Sequence, residues 1–248
     1  TISIVTALLP HLSKLAIEKN VQEVKKQLIR AIRLCGVVTV PSSIAFLLFG
    51  SLMTEVLYFG ISSEDSRYIG YVLSALSLGL VAFSINLILI RGFNAFEDTK
   101  TQVLSILIIN IISSGLSYLF LETLKSDQVT IGLGLAFAFS YIVGLFVTIS
   151  LLKKHVGRFE YSQFVGQHLR LYSASLLAML PFFAIAYFLG WISDDAPPFI
   201  GVLRLAFVLV GGGLSFLLLA HAFKITEIAT LKEFANSLFS KRRAARKK

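Results

Sequence analysis

The sequence predicts an all-α membrane protein with six complete transmembrane helices and the end of a seventh. Hydrophobic residues make up 56% of the 248 and charged residues only 15%, and the mean hydropathy is +0.79. Soluble domains carry about 25% charged residues, and water cannot cover so large a surplus of apolar surface. The apolar residues also form long runs with basic residues between them. This pattern excludes a soluble enzyme, an isolated nucleic-acid-binding module and a disordered chain.

The chain opens with two segments that do not span. Residues 1–9 are apolar but too short to cross a bilayer, so we expect them to be the end of a truncated transmembrane helix. Residues 10–33 have apolar residues at helical spacing with lysines and arginines opposite, which predicts an amphipathic cytoplasmic linker. Within it, Asn20 and Glu23 resemble a capping box, which indicates that one helix ends and another begins there.

Six apolar runs are long enough to cross about 30 Å of hydrocarbon, which requires about 20 residues of helix. We expect helices because lipid offers no partner for backbone N–H and C=O groups. Four of the runs lie within residues 34–152, a cytoplasmic loop is predicted at 153–171, and a terminal pair of helices occupies 172–223. The predicted spans are 34–58, 68–92, 102–124, 129–152, 172–191 and 198–223.

The lysines and arginines predict the orientation. With residues 12–33 in the cytoplasm, 20 of the 23 basic residues fall on the cytoplasmic side and three, Arg67, Lys125 and Arg204, on the outer side. Because cytoplasmic segments retain an excess of Lys and Arg, we expect both ends of the sequence to be cytoplasmic. Residues 224–248 then form an amphipathic basic tail that binds anionic membrane lipids. Recruitment of cell-wall or regulatory proteins by this tail is the alternative.

No arrangement of residues suggests catalysis, a metal site or a cofactor. Cys35 is the only cysteine, which leaves no cysteine-based metal cluster. The four histidines lie in separate segments without metal-ligand spacing. A membrane enzyme acting on polyprenyl phosphates would need acidic clusters at the membrane face, and Glu97-Asp98 is the only inner acidic pair. We therefore predict a protein that is not an enzyme.

The predicted spans contain few polar residues, and these are expensive in lipid. Asn86 and Asn110 lie in the helices on either side of one cytoplasmic turn. They suit hydrogen bonds between helices or, alternatively, the lining of a hydrated path. Arg91 lies near the inner end of its span, where its long side chain reaches the headgroups.

Two motifs resemble a known family. The segment TALLPHLSK (residues 6–14), followed by a basic amphipathic stretch and a long span, is similar to the family pattern ATALLPRLSR. The segment RGFNAFEDTKTQ (residues 91–102) is similar to RAFYALxDTxTP. Over residues 1–155 the sequence thus resembles the C-terminal half of the MurJ/MviN lipid II flippase family, in an actinobacterial style.

The resemblance implies the C-terminal lobe of the two-lobe multidrug/oligosaccharidyl-lipid/polysaccharide exporter fold, with an extra terminal helix pair. The implied function, in peptidoglycan biosynthesis, is to move the undecaprenyl-pyrophosphate-linked precursor from the inner to the outer leaflet of the bacterial cytoplasmic membrane. The mechanism would be alternating access, with the missing N-terminal lobe as partner. Another transporter of the superfamily, a lipid-linked oligosaccharide flippase or a multidrug exporter, is the alternative.

The resemblance and the rarity of polar residues in the spans select the candidate site residues. His11 and Asn94 stand where the family usually has Arg and Tyr, and Gln102 where it has Pro. Asp98 or Thr99 is expected to cap the following helix. The substrate or gating candidates are Arg91, Asn86, Asn110 and His11, and the motif or hinge positions are Pro10, Asp98, Thr99 and Thr101.

Overall fold

The computed structural model describes residues 2–58, 60–159, 162–192, 197–223, 225 and 227. These residues contain seven α-helices and no strand. Six of the helices, α2 to α7, are long and apolar enough to cross a membrane, which confirms the predicted fold class. The helices are α1 (Ile2–Ile17), α2 (Val21–Leu57), α3 (Ser63–Ala95), α4 (Thr99–Thr123), α5 (Val129–Val156), α6 (Ser162–Phe188) and α7 (Pro198–Ala222).

The break between α1 and α2 lies where the capping pattern predicts it. Lys19 adopts a left-handed conformation with φ of 56°, and the Asn20 side chain accepts a hydrogen bond from the Glu23 N–H at 3.2 Å. An asparagine oxygen at this position satisfies a backbone donor that has no partner within the helix. The Glu23 carboxylate does not complete a capping box, because it accepts from the Gln27 side chain instead.

Several helices extend beyond the predicted spans, and α2 and α6 extend the farthest. Helix α2 runs without interruption across the predicted division at residue 33, and it kinks farther on at Phe49, whose φ of −116° and ψ of 17° are not helical. Similarly, α5 ends at Val156 and α6 begins at Ser162, so helix occupies most of the predicted 153–171 loop. Hydropathy locates the hydrocarbon boundary, whereas a helix continues through the headgroup layer wherever its polar residues find partners. The predicted tail at 224–248 lies outside the described residues except for Ile225 and Glu227.

Helix α2 is the centre of the bundle. It packs against α3, α6, α7 and α1, while α5 packs between α3 and α4, and α6 packs with α7. The core includes Phe49, Phe93 and Leu152, each almost inaccessible to solvent. In contrast, most of α4 is exposed and only Ser105 and Ile109 of this helix are buried.

Small and hydroxylated residues bring α2 and α3 into close contact. A Cβ at Gly70 would lie 2.5 Å from the Ser51 Cα, so the two backbones touch there. Nearby, the Thr54 hydroxyl donates to the Ser66 carbonyl and the Ser43 hydroxyl donates to the Ser77 carbonyl, both at 2.7 Å. Close packing and such hydrogen bonds replace the hydrophobic driving force that lipid does not supply between helices.

The alternation of the helices gives the bundle two distinct ends. The basic end holds the α1–α2, α3–α4 and α5–α6 connections and the last turn of α7. The opposite end holds the α2–α3, α4–α5 and α6–α7 connections. The candidate motif residues of the α3–α4 turn therefore lie at the basic end.

Candidate functional site at the basic end

Asp98 organises the turn between α3 and α4. It is the N-cap of α4, and its Oδ1 accepts a hydrogen bond from the Thr101 N–H at 3.0 Å. This is the cap expected from the sequence, formed by Asp98 rather than by Thr99. The preceding Glu97 has a left-handed φ of 57°, which turns the chain from α3 into α4.

The other oxygen of Asp98 reaches a third helix. Asp98 Oδ2 lies 2.7 Å from Nε2 of His155, in the last turn of α5. The imidazole stacks on the Phe96 ring at a centroid distance of 5.0 Å and meets the edge of Phe93 at 6.4 Å. One carboxylate thus holds the start of α4 and the end of α5 together beside the α3 terminus. We call Asp98, Thr101, His155 and Phe96 the turn cluster.

The turn cluster keeps Asp98 ionised. Hydrogen bonds from the Thr101 hydroxyl and N–H, and then from His155, lower the pKa of Asp98 from 3.8 to about 2. Each of these donors stabilises the carboxylate form. Asp98 is therefore negatively charged at any physiological pH.

Farther along the same three helices lies a buried polar junction made by Asn86, Ser105 and Thr148. The Thr148 hydroxyl donates to Asn86 Oδ1 at 2.7 Å, and Ser105 lies 2.7 Å from the same hydroxyl. Because Thr148 has one proton to donate, Ser105 is the donor in the second contact. The Asn86 amide donates to the Ala82 and Tyr141 carbonyls, so α3, α4 and α5 are joined.

Asn110 is not part of this junction. It is exposed on α4, and of the two asparagines only Asn86 forms a hydrogen bond between helices. Asn86 instead uses Thr148 and Ser105, whose hydroxyls gave no distinctive signal in the sequence. Threonine and serine are common in spans, and only the packing of α4 and α5 on α3 brings these two together.

A second set of polar contacts joins α2 to the terminal pair. Arg33 Nε donates to Gln167 Oε1 at 3.0 Å, and the Gln167 amide donates back to the Arg33 carbonyl at 3.1 Å. Arg33 also forms an ion pair with Glu227, which follows α7 and is 8% exposed. We call these three residues the terminal clamp. Beside it, His168 packs on Gly36, where an added Cβ would lie 2.7 Å from the ring.

The remaining candidates take no part in the turn cluster, the polar junction or the terminal clamp. Pro10 and His11 are exposed on α1, and Thr99 is exposed at the first position of α4. Arg91 is half-buried, and its Nε is enclosed without a hydrogen-bond partner in the structure. Within the described ranges, no group of three or more His, Cys, Asp or Glu side chains could hold a metal ion.

Comparison with known proteins identifies the family. The model of the family "Lipid II flippase MurJ" matches residues 1–207, which include the turn cluster, the polar junction and both α2 and α6. The chain belongs to the MurJ family. The match ends within α7, so more than half of that helix lies beyond it.

Several curated relatives have the same description. A probable lipid II flippase MurJ from Rickettsia prowazekii is 30% identical over 152 residues, covering 60% of this chain and 29% of the relative. The lipid II flippase MurJ from Burkholderia cenocepacia is 29% identical over 132 residues, covering 52% of this chain and 25% of the relative. The chain thus spans less than a third of the MurJ proteins it matches. As a member of a flippase family with six apolar helices, it is a multi-pass membrane protein.

Proposed function

We propose that this chain is the C-terminal part of a lipid II flippase. The whole protein would move the undecaprenyl-pyrophosphate-linked peptidoglycan precursor from the inner to the outer leaflet of the bacterial cytoplasmic membrane by alternating access. The family match over residues 1–207 carries this proposal. The site is consistent with it, because its polar groups hold helices together.

The basic end is proposed to face the cytoplasm, with both ends of the chain on that side. Support comes from the distribution of charge, because the connections at the basic end carry far more Lys and Arg than those at the opposite end. In this orientation the turn cluster and the terminal clamp lie at the cytoplasmic surface, and anionic lipids there attract the basic segments.

The turn cluster and polar junction are proposed to make α3, α4 and α5 move as one body. Alternating access in transporters is largely the rocking of one rigid bundle against another. Asp98, Thr99 and Thr101 would act in this positioning role, with Pro10 at a hinge in α1. Arg91, Asn86, Asn110 and His11 remain proposed contacts for substrate or gating. The terminal clamp would connect α6 and α7 to the same body through α2.

Depletion of the full-length protein in its host tests the transport proposal. We expect undecaprenyl-linked disaccharide-peptide to accumulate in the inner leaflet, and its appearance on the outer surface to fall. Normal wall synthesis and unchanged precursor levels would contradict the proposal. Accumulation of a different lipid-linked sugar would instead support another flippase of the superfamily.

Complementation of the depleted host tests the positioning role. Full-length protein carrying Asp98→Ala should restore precursor transport only in part, because α4 loses its cap and its contact with α5. Lys100→Ala is the matched control, since Lys100 is exposed in the same turn and should complement fully. Equal complementation by both variants at equal protein levels would refute the role of Asp98.

A further inference from the structure

Helix α4 presents a polar side that none of the other described helices covers. Asn110 and Ser114 are exposed on it, and Ser113 and Ser117 are half-buried at its edge. These residues follow the spacing i, i+3, i+4 and i+7, so they lie on one side of the helix. We call these four residues the polar face of α4.

The rest of the exposed surface of α4 is apolar. Farther around the helix, Leu104, Ile111 and Leu119 are 47%, 61% and 51% exposed. Lipid tails suit these side chains, whereas they offer no hydrogen-bond partner to an amide or a hydroxyl. Asn110 lies at the middle of α4, far from the headgroups at either end. The apolar side of α4 therefore suits lipid, and the polar face requires a partner that forms hydrogen bonds.

Elsewhere in the bundle, amide and hydroxyl groups of the spans lie at contacts between helices. Asn86 is 1% exposed and donates to a carbonyl of α5, and the Ser43 hydroxyl of α2 donates to the Ser77 carbonyl of α3. The polar face of α4 has the same residue types. Its serines let another backbone approach closely, and the Asn110 amide both donates and accepts. A further transmembrane helix, lying along about 10 Å of α4, fits this chemistry.

The length of the MurJ relatives indicates the source of that helix. The match to the Rickettsia prowazekii protein covers 29% of its length, so more than two thirds of that protein lies outside the matched segment. A helix of the same polypeptide meets α4 at a much higher effective concentration than a second copy of the protein does. An intramolecular partner is therefore favoured over a dimer.

We propose that the polar face of α4 packs against a transmembrane helix from the N-terminal part of the full-length protein, and that Asn110 forms a hydrogen bond with a polar group of that helix. The inference rests on the proposed function in one respect, that the chain is the C-terminal part of a larger transporter. It does not depend on the substrate. Of the roles proposed above for Asn110, this contact corresponds to gating, because it joins two parts that move relative to each other.

Photo-crosslinking in the full-length protein tests the contact. With p-benzoylphenylalanine in place of Ser114, illumination should give an adduct of monomer mass, and mass spectrometry should map it to a transmembrane segment outside residues 1–248. Leu119 is the matched control, because it lies on the apolar side of the same helix. The crosslinker at Leu119 should give no adduct with the N-terminal part.

A second position covers the case in which the bulky crosslinker at Ser114 prevents folding. Leu121 is 59% exposed and lies two turns farther along the same side of α4. Its side chain is already large, so the aromatic crosslinker replaces it with little change in volume. Illumination must then give an adduct with the same transmembrane segment.

The role of the amide is tested in the same crosslinking protein. Asn110→Leu should lower the yield of the adduct by up to about threefold, the ratio that corresponds to an average hydrogen bond between transmembrane helices, about 0.6 kcal/mol. Ile111→Val, at the same depth on the apolar side, should leave the yield unchanged. An unchanged yield in Asn110→Leu would overturn the proposed hydrogen bond.

Three further results would overturn the contact itself. An adduct of dimer mass would assign the polar face to a second copy, adducts with lipid alone would show that lipid covers it, and an equal adduct from Leu119 would show that the contact is not specific to this face. The crosslink is measured independently of transport. A crosslink to the N-terminal part in a protein whose depletion leaves precursor levels unchanged would uphold the contact and refute the transport proposal, and normal transport without the crosslink would do the reverse.

Discussion

Thr148 lies at the centre of the polar junction, where it donates to Asn86 and accepts from Ser105. The side chain is fully buried, so no water replaces either partner. A hydrogen bond between transmembrane helices contributes about 0.6 kcal/mol on average and up to about 2 kcal/mol. The junction joins three helices through a single hydroxyl, so that hydroxyl controls more than one contact.

Thr148→Val tests whether the polar junction contributes to the stability of the fold. Valine keeps the shape of threonine but leaves the Ser105 hydroxyl and one Asn86 contact without a partner, which should cost about 1–3 kcal/mol. The free energy of unfolding in detergent measures the effect. Thr123→Val is the control, because the Thr123 hydroxyl is exposed and bonds only to its own helix. Equal effects of the two substitutions would show that the junction adds no stability.

The contribution of Asp98 to the stability of the fold depends on pH. Its pKa is lowered from 3.8 to about 2 in the folded chain, so its contacts stabilise the fold fully above about pH 4. That stability is lost as the pH falls through about 2, because the carboxylate is then protonated in both states. The difference in melting temperature between wild type and Asp98→Ala should still be fully present at about pH 4 and should shrink as the pH falls toward 2.

The control for this measurement is Asp127→Ala, which removes an exposed acid from the α4–α5 connection. At neutral pH it should leave the melting temperature unchanged, whereas Asp98→Ala lowers it by several degrees. A difference between wild type and Asp98→Ala that vanishes already above about pH 5 would contradict the lowered pKa.

These residues also show which contacts of the site can be predicted from the sequence. The Asp98 cap was predictable because its partner is three residues away. His155 was not, because it lies 57 positions from Asp98 and meets it only when α5 folds beside α4. For the same reason the sequence predicts Asn86 as a polar contact between helices without predicting its partners Thr148 and Ser105.

At the scale of elements, the contact between α2 and α3 depends on the absence of side chains. Gly50 and Gly70 face each other, and a Cβ at Gly70 would meet backbone atoms of Ser51 at 2.5 and 2.6 Å. Backbone atoms cannot move aside as a flexible side chain can. The helices must therefore separate if either glycine gains a methyl group.

Gly70→Ala tests this contact. The overpacked methyl group should cost about 1–3 kcal/mol of unfolding free energy in the 248-residue chain. Gly115→Ala is a control of opposite sign, because nothing lies within 4 Å of its added Cβ. Alanine favours the helix by up to about 1 kcal/mol over glycine, so this variant should be as stable as the wild type or more so. A Gly70→Ala variant of unchanged stability would refute the close approach.

The ends of the helices are a second feature that the sequence does not predict. All six spans were predictable from hydropathy, since lipid admits little besides helix. The ends of α2 and α6 were not, because they continue past the hydrocarbon. Beyond the hydrocarbon, hydrogen bonds between Arg33 and Gln167 hold α2 against α6. These two residues are 134 positions apart in the sequence.

At the scale of the whole molecule, the chain is one packed bundle that spans less than a third of its MurJ relatives. Its described polar contacts hold its own helices together. Transport by alternating access requires a second bundle that moves against the first. The 248-residue chain should therefore insert into vesicles without translocating a labelled lipid-linked precursor, and the full-length protein should translocate it. Translocation by the chain alone at the rate of the full-length protein would contradict this division.

The central claim is that six helices cross the membrane with the basic end in the cytoplasm. Labelling of single cysteines with a membrane-impermeant reagent in intact cells, in a Cys35→Ser background, tests it most directly. Lys125→Cys, in the α4–α5 connection, should be labelled from outside. Lys100→Cys, in the exposed first turn of α4 at the basic end, should be labelled only after the cells are permeabilised. Labelling of Lys100→Cys in intact cells would reverse the orientation and contradict the account.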